Sequence, residues 1–182
     1  MSAPRPTNLG LATKVAGLLL AVTAAIAAGV HFFAAERARA TLDFGFAGVP
    51  HTLGTAVGIF VNNSRVLAAI LAAGIAVQAG RELAESTLSR AFVQALVLIC
   101  DCALLLFCCL NVLVIGAAYG AYGLRTLQAT AAHGPFELAA FSTGLALYLA
   151  ARRESLARRR FAAGAAVAFA LLMVGAVVEA YA

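Results

Sequence analysis

The chain has no tryptophan, only four prolines and two methionines, and little charge, with lysine, arginine, aspartate and glutamate making up 12% of its 182 residues. So little charge excludes an ordinary soluble domain, which needs a polar shell over most of its outside. The four cysteines, Cys100, Cys102, Cys108 and Cys109, crowd into one apolar run, so they are not the framework of a small disulfide-stapled domain. No C-x-x-C pair and no phosphate-binding loop occur. Scattered prolines and the absence of low-complexity tracts exclude collagen-like and disordered chains. What is present is apolar surface, since 63% of the residues are hydrophobic. The expected fold class is all-α: a polytopic transmembrane helical bundle, forming a single integral membrane domain over residues 1–182.

Crossing a hydrocarbon layer about 30 Å thick takes about 20 helical residues, because only a helix satisfies its own backbone polar groups there. Five runs meet or approach that length, at 11–35, 57–79, 92–118, 136–151 and 161–182, and the fourth is the shortest. The first run resembles a secretory signal peptide in its basic flank and small residues. It stays apolar through Val30, Phe32 and Phe33, which favours a retained helix.

Lysine and arginine in short loops translocate poorly and so report orientation. With five spans, one side carries Arg5, Lys14, Arg81, Arg90, Arg152, Arg153, Arg158, Arg159 and Arg160, and the other carries Arg37, Arg39 and Arg125. The expectation is a cytoplasmic N-terminus and an outer C-terminus. The basic balance then reports topology and anionic lipid headgroups, and nucleic acid is rejected as a partner. The segment 40–55 alternates Leu42, Phe44, Phe46, Val49 and Leu53 with Gly45, Gly48, Pro50 and Gly54, and is expected to lie along the outer interface without forming one regular helix.

Polar side chains inside a lipid-embedded helix are costly unless they face protein, water or each other. They are Asn62, Asn63 and Arg65 in the second run, Asp101 and Asn111 in the third, His133 and Glu137 at the start of the fourth, and Glu179 near the end of the fifth. The 1.5 Å rise per residue places Asn62 and Arg65 roughly 8–12 Å from the outer end of their helix and Asp101 near mid-membrane. Asn111, His133, Glu137 and Glu179 fall toward the same outer face. Their convergence predicts either an outer polar pocket or a network of hydrogen bonds that binds helices together at about 1 kcal/mol each.

The stretch His133-Gly134-Pro135-Phe136-Glu137 predicts a helix start, with Pro135 in the first turn and Glu137 at its positive N-terminal end. Neither a second histidine nor a cysteine has ligand spacing to His133, so no metal or cofactor is expected. The cysteines point in different directions on a helix and are read as apolar filler. Asp101 must be protonated, paired or wet, and Arg65 is the only cation within the spans to pair with it. Gly74, Gly80, Gly116, Gly120 and Gly123 allow close helix approach, either within the chain or between copies of it.

The order of these motifs, IFVNNSRVLAAILAAGIAVQAG, then NVLVIG, then HGPFELAAFSTGLAL, then VVEAYA, resembles the stage II sporulation protein M family of bacterial integral membrane proteins. The family's asparagine pair ahead of a glycine-spaced helix matches Asn62, Asn63 and Gly74. Its Asn-Gly ahead of a glycine matches Asn111 and Gly116, with Val112 in the place of glycine. Its His-Gly before a glutamate matches His133, Gly134 and Glu137, with Ala132 replacing the usual proline, and its late helical glutamate matches Glu179. The resemblance implies a non-catalytic scaffold or subunit of a cell-envelope or peptide-export complex. A permease-like subunit served by a separate ATPase is the second reading, and an intramembrane enzyme the third. Expected partners are membrane lipids, other membrane or envelope proteins, an ATPase in the transport case, and a second copy of the chain.

Overall fold

The structure, a computed structural model, describes residues 8–44, 46, 50–82, 84, 87–153 and 156–181. Arg5, Gly45, Gly48 and Val49, which figure in the sequence reading, lie outside the described residues, as do Ser155 and Ala182. Among the described residues there are only helices: α1 (Asn8–Phe33), α2 (Ala35–Leu42), α3 (Leu53–Glu82), α4 (Thr87–Tyr122), α5 (Leu124–Thr130), α6 (Gly134–Arg153) and α7 (Arg158–Tyr181).

Four of them, α1, α3, α4 and α7, are long and apolar enough to cross a membrane. Leu18 and Leu20 on α1, and Leu98, Ile99, Leu105 and Leu106 on α4, stand largely exposed. Apolar surface of this extent is stable against lipid and unstable against water. Most helices run past the edges of the hydrophobic runs, because backbone hydrogen bonding continues after the apolar side chains stop. α4 is the extreme case: its 36 residues make a helix about 54 Å long, well beyond the hydrocarbon thickness. It stops at Gly123, whose φ of 57° is open to glycine and strained for other residues.

α6 differs from the four apolar helices. It has 20 residues and buries Ala140, Ser142, Gly144, Ala146, Leu147, Tyr148, Ala150 and Ala151, and it packs on α1, α3 and α7. Packed against helices in place of lipid, α6 carries small and polar residues at its contacts, which lowers its hydropathy. The main core lies along it, where Leu67 and Leu71 of α3 meet Leu147 of α6 and Phe161 and Leu172 of α7. Beside it, Ile70 and Val77 of α3 pack with Leu104 of α4 and Tyr148 of α6.

α1 packs chiefly against α4. A Cβ at Gly116 would lie 2.7 Å from Ile26 Cγ2, and one at Gly120 would lie 2.5 Å from the Ala27 carbonyl oxygen. These two glycines, left open as a possible contact between copies, are therefore occupied within the chain. α2 reaches only the first residues of the predicted interfacial segment, 40–42, and buries no residue; the far end of that segment belongs to α3, which starts at Leu53. The Arg39 Nε donates to the Ala121 carbonyl at 2.6 Å, and the Tyr122 hydroxyl donates to the Arg39 carbonyl at 3.2 Å, tying α2 to the end of α4.

The two ends of the bundle differ in charge. At one end Arg81 donates to the carbonyls of Ala151 and Arg152, Gln78 donates to the Leu156 carbonyl at 2.6 Å, and Arg158 pairs with Glu82 at 3.4 Å. The ends of α3 and α6 and the start of α7 thus share one basic cluster. The opposite end holds the start of α3, the start of α6 and the end of α7.

Candidate functional site

At that opposite end, Gly58, Ile59, Asn62, Asn63, His133, Glu137 and Glu179 line a cavity of about 400 Å³. Each helix delivers its side chain for a local reason. The His133 carbonyl accepts from the backbone N–H groups of Phe136 and Glu137, at 3.0 and 3.3 Å. These are the opening bonds of α6, so His133 sits at the entry and Glu137 in the first turn, on the face toward α3 and α7. On α7, Gly175 lies one turn before Glu179. A Cβ there would stand 3.4 Å from Glu137 Cγ and Phe136 Cβ, so α7 packs in direct contact with the entry of α6. On α3, the Asn63 side-chain amide donates to Glu137 Oε1.

His133 Nε2 lies 3.9 Å from Glu179 Oε2, with side chains 12% and 29% exposed. One donor atom from each of His133, Glu137 and Glu179 falls within 4.8 Å of the others, a set that can hold a metal ion. Sequence spacing offered only His133 and Glu137, and the third donor arrives from a helix more than forty positions later. Nearby, His51 Nδ1 donates to the Ala180 carbonyl at 3.0 Å, fastening the chain ahead of α3 to the end of α7.

Five of the seven residues expected in an outer polar pocket therefore meet: Asn62, Asn63, His133, Glu137 and Glu179. Arg65 and Asn111 do not. Arg65 is exposed on α3, about 200° around the helix from Asn63 at 100° per residue. It pairs with neither Glu137 nor Asp101 among the described residues. Asn111 is exposed on α4 and donates to its own helix, at the Phe107 carbonyl, 2.9 Å away.

Asp101 has a different partner from the one the sequence offered. Its Oδ2 lies 2.6 Å from an Arg152 nitrogen and its Oδ1 accepts from the Tyr148 hydroxyl at 2.7 Å. Arg152 belongs to the last turn of α6, and its long side chain reaches back along the bundle while the backbone stays at the basic end. Asp101 and Arg152, with Arg81, Arg90 and Gln94, border a second cavity of about 460 Å³. Sequence reasoning missed Tyr148, Arg152 and Gly175. Tyr148 was the recoverable signal, because a hydroxyl in an apolar run also needs a partner. Comparisons with protein-family models, with curated proteins and with solved structures each find no match to this chain.

Proposed function

We propose that the protein is a non-catalytic, five-span subunit of a bacterial cytoplasmic-membrane complex, similar in role to the stage II sporulation protein M family. It gathers partner proteins for work on the cell envelope or on peptide export. α6 joins α1, α3, α4 and α7 as a span, the fourth in chain order; the N-terminus is cytoplasmic, and the C-terminus is outside. The length of α6 supports this, since 20 residues at 1.5 Å each make about 30 Å. The collection of arginines at the end of the bundle away from the cavity supports the orientation.

The observation that carries the functional reading is the cavity among α3, α6 and α7. It brings two carboxylates, an imidazole and two side-chain amides together at one end of a bundle of largely apolar helices. Polar groups so placed are expensive in a membrane protein, and a docking site for a cationic or hydrogen-bonding segment of a partner accounts for their retention. The cavity's volume and opening also suit a small translocated substrate, which favours the permease-like subunit as second reading.

Glu137→Gln tests the proposal. It keeps shape and most hydrogen bonding and removes one charge. A charge-assisted hydrogen bond contributes about 1.5–3 kcal/mol, so partner recovery by affinity capture from native membranes should fall about tenfold or more at unchanged protein level. Undiminished recovery contradicts the docking role.

A further inference from the structure

Two carboxylates and one imidazole share the cavity, and among the described residues neither Glu137 nor Glu179 pairs with a lysine or arginine. Arg65, the cation on the same helix as Asn63, is exposed and faces elsewhere. Adjacent carboxylates in a part-buried cleft repel one another unless a proton or a cation lies between them. The imidazole beside them makes the donor set mixed nitrogen and oxygen, which suits a first-row transition ion better than calcium or magnesium.

We propose that His133 Nε2, Glu137 and Glu179 bind one divalent transition-metal ion, zinc being the ion to test first. Ligand bonds of about 2.0–2.2 Å put neighbouring donors about 3.0–3.5 Å apart. The 3.9 Å between His133 Nε2 and Glu179 Oε2 closes by a small side-chain rotation, and the widest separation, within 4.8 Å, needs about 1 Å more. The backbone is already set for this, because α7 at Gly175 lies against the α6 entry where His133 and Glu137 reside. The Asn63 amide holds Glu137 Oε1 as an outer hydrogen-bonding group holds a metal-binding carboxylate. Glu137 then offers its other oxygen to the ion. Three protein donors leave at least one coordination position facing the cavity, filled by water or by a donor group of a bound partner. The ion pins the start of α6 to the end of α7, and with its charge balanced by the two carboxylates it leaves an open position for a neutral oxygen donor, the hydrogen-bonding kind of partner segment. The inference stands on the pocket's geometry and not on the complex the protein joins.

The test uses the full chain purified in detergent. Zinc content by mass spectrometry should be close to one equivalent per chain. Cobalt substitution should give the visible d–d absorption of a nitrogen- and oxygen-ligated ion, without the charge-transfer band of a thiolate ligand. His133→Ala and Glu179→Gln should each weaken zinc binding at least a hundredfold, and Asn63→Ala about 10- to 100-fold. Replacing all four cysteines with serine should leave binding intact. Because a variant can fail to fold, the wild-type spectrum and its zinc-dependent rise in melting temperature, abolished by a chelator, provide a readout that needs no mutation. Absence of both from the wild type, or loss of the ion with the cysteines, overturns the assignment. If that happens while Glu137→Gln still abolishes partner capture, the docking role stands without a metal.

Discussion

Asp101 shows how a single residue is accommodated in an apolar helix. Both of its oxygens are engaged, one by Arg152 and one by Tyr148. Removing either charge strands the other, whereas removing both leaves a neutral pair, so the singles and the double differ in kind. The Arg152 side chain is 46% exposed, so solvent moderates the effect. Asp101→Asn and Arg152→Gln should each lower stability in detergent, and the double variant should recover part of the loss, with a coupling of about 1 kcal/mol. Thermal unfolding of the four proteins measures this, and strict additivity would refute the pairing. The sequence marked Asp101 as a residue in need of a partner because a carboxylate in an apolar run always is. It did not reveal which partner, since Arg152 follows the last apolar residue of its run and reads as a loop charge until its side chain is seen to reach back. Arg65 misled for the complementary reason: it lies inside a span, yet its direction around α3 keeps it from both carboxylates.

Among the helices, those exposed to lipid were the easiest to read. α1, α3, α4 and α7 must be apolar over a membrane thickness, and composition along the chain records that requirement. α6 was harder because protein encloses it, so its sequence carries glycine, serine, threonine and tyrosine among the apolar residues. Packing between helices was legible only as a supply of small residues. The structure assigns them: the Gly120 position meets the Ala27 backbone oxygen, which cannot move aside as the end of a flexible side chain would. Gly120→Val should therefore push α1 off α4 and cost about 1–3 kcal/mol, the usual penalty of overpacking. Gly29→Ala, at a helix-interior site where an added Cβ meets nothing within 4 Å, should leave stability no lower and raise it by up to about 1 kcal/mol. Melting temperatures of both variants in the same detergent check the contrast, and equal sensitivity at the two sites would contradict the packing of α1 on α4.

On the scale of the whole molecule, a basic cluster lies at one end of the bundle and the carboxylate-lined cavity at the other, with α6 running between them. The polar residues of that cavity were legible individually, because each is out of place in an apolar run. Their assembly depended on contacts across long sequence separations, such as Asn63 with Glu137 and His133 with Glu179. The functional account requires that α6 cross the membrane, so that the cavity opens on the face opposite the arginines. Gln128 and Ser155 flank α6 with no other long helix between them. Single cysteines introduced as Gln128→Cys and Ser155→Cys into a chain with its native cysteines replaced by serine therefore decide the matter. In intact cells an impermeant thiol reagent should label the cysteine at position 128 and spare the one at 155 until the membrane is permeabilised. Equal labelling of the two before permeabilisation, or the reverse pattern, would contradict the account.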